Sequence, residues 1–368
     1  MESPQLNDQS CELLMEQSMF PTRLLSCPDQ VCYHVTYEAK TLRVTSHENG
    51  KESIWHLDKQ SDQLRLQWIY SSSVPPSVSE LLTAIEASFA SYPHQKKLSL
   101  LIPIRQCREL FDSGILVRDE DNQIVVYVDM FWQQARVWRS SILTQVFPIR
   151  YVFSHGRRHP LRPPKPIGLV YQRYITWLGR TLIFRTVDLT TDLSRFHRWM
   201  NDPVVAEFWQ ESGDLTKHHA YLAAIEADPH VINLIGCLDD EPFGYFEVYW
   251  AKEDRIAPYY DVDDFDRGWH VLIGEPHMRG KRFVTAWLPS ISHYLFLDDD
   301  RTQRIVIEPR ADNFKMIRNL AQCGYAHLKE FDFPHKRAML GMLSRERFFS
   351  EQLWVPRSIT SSHSVFLS

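Results

Sequence analysis

Residues 266–282, DRGWHVLIGEPHMRGKR, join an apolar run to a loop rich in basic residues. The run at 266–273 is apolar enough for a buried strand, and residues 279–297 have the spacing of a helix. The segment between them, 275–282, places one glycine and several cations at the start of that helix. Backbone N–H groups and cations at a helix start can bind a diphosphate. A plain capping turn explains the same residues equally well, so both interpretations stay open.

Apolar runs on both sides extend this stretch into a unit of strands and helices. The spacing predicts strands at 181–186, 231–238, 244–250, 303–308, 326–331 and 337–343, and helices at 193–200, 217–227 and 313–322, the last ended by Gly324. Together with the first stretch, the order of elements is β-α-α-β-β-β-α-β-α-β-β. This order predicts an α+β domain with a mixed sheet in the C-terminal half.

The N-terminal half has the pattern of a separate, smaller α/β domain. Strands are predicted at 31–36, 41–45, 64–70, 98–102 and 124–129. One helix follows the capping serines Ser77 and Ser79 and ends before Pro93. At 368 residues the chain exceeds the size that one hydrophobic core usually serves, so two domains are expected.

The boundary between the two halves is predicted in a stretch of basic residues and prolines. It contains HGRRH at 155–159 and RPPKP at 162–166, a composition that favours an exposed linker over helix or sheet. A phosphate contact is the weaker alternative for its cations. We therefore predict domains at 1–160 and 170–350, followed by a tail at 351–368.

Composition excludes several classes of protein. Hydrophobic residues make up 44% and charged residues 24%, which is typical of a globular chain. A formal net charge of -5 gives no broad basic field, so neither a nucleic-acid nor a membrane partner is indicated. The first ten residues lack the pattern of a signal peptide, and no apolar run reaches the ~18 residues of a membrane span. We expect a cytoplasmic protein.

The cysteines are scattered along the chain. They are Cys11, Cys27, Cys32, Cys107, Cys237 and Cys323. Neither a CxxC pair nor a zinc-like spacing with histidines occurs among them, so we expect reduced thiols, without a disulfide framework and without a metal site.

Two long sequence runs indicate a protein family more specifically than the basic loop does. They are GWHVLIGEP at 268–276 and RIVIEPRADN at 304–313, and shorter runs are WMNDP at 199–203, FW at 208–209 and EFDFPHKRA at 330–338. In these runs the chain resembles siderophore acyltransferases of the aerobactin type, the N6-hydroxylysine acetyltransferases, within the GNAT superfamily of N-acetyltransferases. The resemblance covers roughly residues 175–350 and little of the N-terminal half.

The resemblance implies a fold and a donor. The fold is the GNAT fold, a mixed and mostly antiparallel sheet flanked by helices, with the N-terminal domain as a degenerate copy or a dimerisation module. The donor is acetyl-CoA, succinyl-CoA or another acyl-CoA, without a metal. The residues implied to bind its pyrophosphate are His277, Arg279, Gly280, Lys281 and Arg282. Superfamily members usually carry Arg/Gln-x-x-Gly-x-Gly/Ala here, and because this loop keeps only the middle glycine, its individual phosphate contacts stay open.

The resemblance also implies the catalytic residues, His270 and Asp312. Histidine suits a general base because its unperturbed pKa of ~6.5 leaves it mostly neutral at pH 7. A hydroxylamine acceptor is largely unprotonated at that pH, so a base is needed only to remove the proton as the amide forms. Asp312 can hydrogen-bond the hydroxylamine, act as the base, or simply cap the next helix.

Acceptor-binding residues are weighed against ordinary structural roles. Trp209 and Trp269 are candidate apolar walls, with core tryptophans as the equal alternative. Glu275, Glu308 and Arg310 are candidates for contacting the α-amino and α-carboxylate groups of an amino-acid acceptor, with surface ion pairs as the alternative. The predicted partner is a small-molecule hydroxylamine; a homodimer and a contact with a siderophore synthetase are kept open.

Two other functions are kept beside hydroxylamine acylation. One is acetylation of an ordinary amine such as an aminoglycoside, for which the acidic run at 261–266 is the nearby feature; a solvated loop explains that run better. The other is a non-catalytic binding protein on a degenerate fold, which the altered phosphate loop permits. The presence of both His270 and Asp312 favours an enzyme.

Overall fold

The computed structural model describes residues 23–61, 63–69, 75–103, 107–140, 147–154 and 156–356. Tyr70, His155 and the end of the predicted tail lie outside these ranges. The chain divides into two compact units, one of residues 1–138 with 173–181 and the other of residues 139–172 with 182–368. Among the described helices, none combines the length and the apolar character needed to cross a membrane.

The first unit is built on a mixed sheet. Its described strands are β1 (Leu24–Ser26), β2 (Tyr33–Glu38), β3 (Thr41–Ser46), β4 (Glu52–Gln60), β5 (Gln63–Ile69), β6 (Lys97–Leu101), β7 (Val117–Arg118) and β8 (Ile124–Tyr127), and its helices are α1 (Val78–Ser91), α2 (Arg108–Asp112), α3 (Val128–Phe131) and α4 (Ala135–Trp138). The strand order is β1-β2-β3-β4-β5-β6-β8-β7. Only β5 and β6 pair in parallel, with α1 as their crossover.

The predicted C-terminal elements form a second sheet with its helices. The strands are β9 (Tyr151–Ser154), β10 (Arg157–Pro160), β11 (Leu169–Ile175), β12 (Arg180–Thr186), β13 (Val231–Leu238), β14 (Glu241–Trp250), β15 (Arg267–Ile273), β16 (Arg304–Ile307), β17 (Ala326–Asp332) and β18 (Arg337–Ser344). The helices are α5 (Leu189–Met200), α6 (Pro203–Trp209), α7 (Leu215–Ala227), α8 (Lys281–Asp298), α9 (Phe314–Gln322) and α10 (Arg345–Ser350). The sheet order is β11-β12-β13-β14-β15-β16-β18-β17, and its parallel pair is β15 with β16. The α+β fold class is confirmed.

The two sheets have the same strand order, position by position. In each, a helix crosses between the fifth and sixth strands, which are the parallel pair. The helices differ, because α5, α6 and α7 lie between β12 and β13, whereas β2 and β3 join directly. The start of α1 also carries Ser77 and Glu80 in a reciprocal capping box, with an acidic side chain where α8 has cations. The two units thus share a strand order but differ in their helices and in the charge at the start of the crossover helix.

The pairing of β14 with β15 brings together residues of the candidate active site. The two strands pair along their length, with Glu247 directly opposite His270 and Tyr249 opposite Gly268. Directly opposite residues share a face of the sheet. By contrast, β15 and β16 pair only through Arg267 and Gly268, so the two strands separate beyond that point. A backbone edge of β15 opens beside the shared face.

Two sequence-based expectations were wrong. The predicted linker contains an antiparallel ribbon of β9 and β10, and Arg162 just after it is buried in an ion pair with Glu253. The prolines at 163, 164 and 166 do exclude further sheet, but His159 and Arg162 before them face the carboxylate of Glu253, far away in sequence, which local composition cannot show. Cys27 and Cys32 form a disulfide across a short turn, against the expected reduced thiols, while Cys107, Cys237 and Cys323 are buried.

Candidate active site

The imidazole of His270 lies between two buried carboxylates. Its Nε2 is 2.8 Å from Oε1 of Glu308, and its Nδ1 is 3.2 Å from Oε2 of Glu247. Glu247 reaches it because the two residues are opposite each other on β14 and β15, and Glu308 because it follows β16. Both ring nitrogens therefore face acceptor oxygens, which is the arrangement of a protonated histidine.

Tyrosine hydroxyls hold the two carboxylates from behind. Tyr221 and Tyr245 donate to Oε1 of Glu247 at 2.5 and 2.9 Å, and Tyr249 donates to Oε2 of Glu308 at 2.8 Å. Buried carboxylates need such donors, since an unpaired buried charge is costly. These hydrogen bonds fix the oxygens that face the imidazole.

Electrostatics keep the imidazole charged. Burial by itself would lower the pKa of His270, but the charge of Glu308 and the hydrogen bonds that the imidazole donates to both glutamates outweigh burial and raise that pKa well above 6.5. Burial would raise the pKa of each glutamate, yet the imidazolium lowers the pKa of Glu308 and of Glu247 below the ordinary value. The resting cluster is thus an imidazolium between two carboxylates, which differs from the neutral histidine assumed from the sequence.

This cluster lies in a pocket of about 890 Å³. Among the predicted site residues, the pocket lining contains Trp209, Trp269, His270, Glu308, Arg310 and Asp312. Charged side chains that the sequence analysis did not assign also line it: Glu247, Asp254, Arg255 and Lys336. The volume is ample for an amino-acid acceptor together with the end of an acyl donor.

The second predicted catalytic residue, Asp312, lies near the solvent-exposed side of this pocket. Its carboxylate is 58% exposed and accepts two hydrogen bonds from Arg310, at 3.0 and 2.5 Å. These bonds lower the pKa of Asp312, so it is ionised. It does not cap the helix, because Asn313 is the N-cap of α9. His270 and Asp312 thus share one pocket, but the direct partners of His270 are glutamates.

The two predicted pocket tryptophans have different environments. The Trp209 indole N–H donates to the Val271 carbonyl at 3.2 Å, and its ring meets His270 edge-on, so it does form a wall. The Trp269 ring packs edge-on against Trp287 and donates its N–H to the Tyr325 hydroxyl. Because Trp269 precedes His270 on the strand, its side chain points to the opposite face. The Trp269 ring therefore packs in the hydrophobic core.

Several predicted ligand contacts have structural partners instead. Glu275 accepts hydrogen bonds from Arg198 at 2.5 Å and from the Trp199 indole at 2.9 Å, and it does not line the described acceptor pocket. These contacts favour a structural role for Glu275 over the predicted contact with an amino-acid acceptor, because the loop after β15 directs its side chain toward α5. His277 is exposed and faces Glu241 at 2.9 Å.

Comparison with known proteins shows to which family the chain belongs. Residues 188–333 match the model of the acetyltransferase (GNAT) domain. The chain is 45% identical over 229 residues to the N(6)-hydroxylysine O-acetyltransferase of Escherichia coli, covering 62% of this chain and 72% of that enzyme. The chain belongs to the GNAT family of siderophore acyltransferases.

One further relative matches over a shorter part of its length. Identity to the N(5)-hydroxyornithine:cis-anhydromevalonyl coenzyme A-N(5)-transacylase of Beauveria bassiana is 45% over 195 residues, which is 52% of this chain and 43% of that one. Among solved structures, an uncharacterized protein of Bacillus halodurans has 29% identity and a TM-score of 0.49, covering 52% of this chain and 96% of its own. The acyltransferase therefore spans less than half the length of the Beauveria enzyme.

Acyltransferases of this family take the acyl group from acetyl-CoA or another acyl-CoA, and the opened edge of β15 has the donors that a thioester needs. The Val271 carbonyl accepts from Trp209 and the Ile273 carbonyl from Arg279, so both carbonyls point away from β14. In an antiparallel strand the N–H and C=O of one residue point to the same side. The Val271 N–H therefore also faces the open edge, beside His270.

The loop before α8 in the acyltransferase divides its predicted phosphate ligands into two groups. Arg279 donates to the carbonyls of Ile273 and Gly274 and pairs with Asp202 at 3.2 Å, so it holds the loop itself. Gly280 has φ +121°, a conformation that favours glycine, and it begins a helix without a side-chain cap. Lys281 and Arg282 are exposed in the first turn, and the described residues offer them no ion pair.

Sequence reasoning missed several residues of the acyltransferase site. Glu247 lies in the apolar run GYFEVYW, where a lone carboxylate in a buried strand is a detectable signal. Asp254 and Arg255 lie in a loop that carries no pattern. Lys336 lies between the last two strands, is only 17% exposed, and its ammonium donates to the Glu308 carbonyl at 2.7 Å.

Proposed function

We propose that this acyltransferase moves the acyl group of acetyl-CoA, or of a related acyl-CoA, to the hydroxylamine nitrogen of N6-hydroxylysine or a similar N-hydroxy amine. The product is a hydroxamate, and transfer is direct within a ternary complex. The observation that carries the proposal is the charged His270 in the acceptor pocket, beside the open edge of β15. The identity to the Escherichia coli enzyme supports the choice of acceptor.

The charge on His270 favours a hydroxylamine over an ordinary amine. An alkyl amine such as that of lysine has a pKa near ~10.4 and must lose a proton before it can attack. An imidazolium cannot accept that proton. A hydroxylamine nitrogen is already neutral at pH 7 and attacks without prior activation, so a pocket with a protonated histidine suits it. The acidic run at 261–266 gives no support for an aminoglycoside, because Asp266 is buried and bound by Arg304.

The residues then take distinct roles in the reaction. Gly280, Lys281 and Arg282 hold the pyrophosphate of the donor at the start of α8. The Val271 N–H donates to the thioester oxygen as negative charge develops on it. His270 stabilises the negative charge at the reacting centre and can give its proton to the departing thiolate. Asp312 accepts the proton of the attacking nitrogen, since a carboxylate suffices for so weakly basic a nitrogen.

The proposal is tested by donor and acceptor panels with the purified protein. Thiol release from acetyl-CoA and from succinyl-CoA is measured with N6-hydroxylysine, N5-hydroxyornithine, lysine and an aminoglycoside. The ferric complex of the product is measured in the same reactions, because a hydroxamate binds iron through both oxygens and an O-acyl hydroxylamine does not. We expect thiol release together with ferric colour, and only with the hydroxylamines.

Other results select other functions. Release without ferric colour would place the acyl group on oxygen, as the name of the Escherichia coli relative gives it. Release with plain amines alone would contradict the proposal in favour of ordinary amine acetylation. His270→Ala should abolish the signal, whereas the control His327→Ala, on the exposed side of β17, should retain it.

A further inference from the structure

One end of the acceptor pocket gathers basic side chains around a single aromatic ring. The Arg255 guanidinium carbon lies 5.6 Å from the centre of the Phe333 ring, and the Lys336 ammonium lies 5.4 Å from it. The His335 ring stacks on Phe333 with centroids 5.4 Å apart. We call Arg255, His335 and Lys336 the cationic end of the pocket, since all three line it.

Nearby acids neutralise the cationic end only in part. Arg255 and Lys336 approach the same oxygen of Glu308, at 3.6 and 3.9 Å, and that oxygen already faces His270 at 2.8 Å. One carboxylate is thus shared among three cations. The other acid beside it, Asp254, is buried, and its burial together with the charge of Glu308 raises its pKa. A further anion is favoured here.

We propose that the cationic end binds the α-carboxylate of the acceptor and so selects N-hydroxylated amino acids over N-hydroxylated diamines. This inference rests on the proposed function and names its substrate class. Arg255 supplies a planar pair of donors suited to a carboxylate, and half of its side chain is exposed to the pocket and solvent. A bound carboxylate would also stabilise the charge of Lys336, whose pKa is lowered by burial.

The dimensions of the pocket fit an acceptor held at both ends. In N6-hydroxylysine the carboxylate and the hydroxylamine nitrogen are separated by roughly 7 Å when the chain is extended. His270 and Arg255 contact one common oxygen, so the two ends of such an acceptor can be bound together. Arg310, the contact expected from the sequence, is instead committed to Asp312.

The test compares two acceptors that differ only in the carboxylate. At saturating acetyl-CoA, kcat and KM are measured for N6-hydroxylysine and for N-hydroxy-1,5-diaminopentane with the wild type, Arg255→Gln and Lys336→Gln. The control is Arg347→Gln, which removes a surface arginine paired with Glu351. We expect the wild type to prefer hydroxylysine by about 10- to 100-fold, the usual effect of a hydrogen bond to a charged group. Each pocket variant should lose that preference, mainly through KM for hydroxylysine.

The outcomes separate this inference from the proposed function. Equal use of both hydroxylamines by the wild type would overturn the carboxylate site and leave hydroxylamine acylation standing. A fall in kcat for both acceptors alike in Arg255→Gln would also overturn it, since Arg255 would then act only by supporting Glu308 and His270. If the enzyme turns over neither of the two hydroxylamines, the proposed function is contradicted, and this inference falls with it.

Discussion

The Nε2 atom of His270 lies 2.8 Å from Oε1 of Glu308, and Glu247 faces the other ring nitrogen at 3.2 Å. A histidine with carboxylates on both sides differs from a histidine paired with one aspartate, because neither nitrogen is left as a free acceptor. The imidazole can donate in two directions but cannot take up a proton until it has lost one. The charge of His270 is therefore the property of the site that an experiment should address first.

The pH dependence of kcat should report that charge. Since Glu308 raises the pKa of His270, Glu308→Gln lowers it. Activity that needs the imidazolium is present below this pKa and lost above it, so we expect the alkaline limb of the wild-type profile to move to lower pH in the variant. Profiles of kcat between pH 6 and 10 check this, with the surface variant Glu351→Gln as control.

The alternative role of His270 gives the opposite profile. If neutral His270 were the base, activity would rise through its pKa, and Glu308→Gln would extend activity toward lower pH. An acid limb that shifts in this way would reject the imidazolium mechanism. A fall in kcat with an unchanged profile would limit Glu308 to a structural role.

Asp312 should contribute to turnover but not to donor binding. We expect Asp312→Asn to lower kcat by roughly 10²- to 10⁴-fold, the span of a lost acid–base group, with the Kd for acyl-CoA nearly unchanged. Arg310→Gln is the informative companion, because it leaves the carboxylate in place and lets its pKa return toward the ordinary value. Calorimetric Kd values and single-turnover rates measure both effects. Wild-type turnover in Asp312→Asn would exclude it from proton transfer.

The elements of the second unit could be predicted because their signals are local. The strand β13, VINLIGCL, is buried at every position, and its bounds, Val231–Leu238, match the prediction. The loop before α8 contains a glycine and basic residues, and the sequence correctly predicted its position at the start of a helix. These features depend on periodicity and capping within about ten residues, which a single sequence contains.

The site was only partly predictable because its key contacts are between distant residues. Glu247 meets His270 across a strand pair, and Arg162 meets Glu253 91 residues away, so no local pattern reports either contact. Trp269 was ambiguous for another reason, because strand alternation assigns its face only once the register is known. The ribbon of β9 and β10 was hidden by the prolines that follow it.

The cations of the α8 loop should divide into donor-binding and structural residues. Lys281→Ala and Arg282→Ala should each raise KM for acyl-CoA several-fold, because a charge-assisted phosphate contact is lost, with thermal stability unchanged. Arg279→Ala should instead lower the melting temperature, since Arg279 ties Ile273 and Gly274 to Asp202. Thermal unfolding and acyl-CoA titrations separate the two groups. A higher KM for Arg279→Ala alone, with normal stability, would reverse the assignment.

Gly268 should prove essential because Tyr249 occupies the space that a side chain would need. A Cβ at Gly268 would lie 2.3 Å from the Tyr249 ring, whose hydroxyl holds Glu308 at 2.8 Å. We expect Gly268→Ala to lower the free energy of unfolding by about 1–3 kcal/mol, as overpacking does, and to reduce kcat to the level of Tyr249→Phe. In the control Gly213→Ala, the flexible Lys217 side chain can move away, so both quantities should stay near wild type. Chemical denaturation and steady-state kinetics measure them, and full activity of Gly268→Ala would show that Tyr249 does not position Glu308 for the reaction.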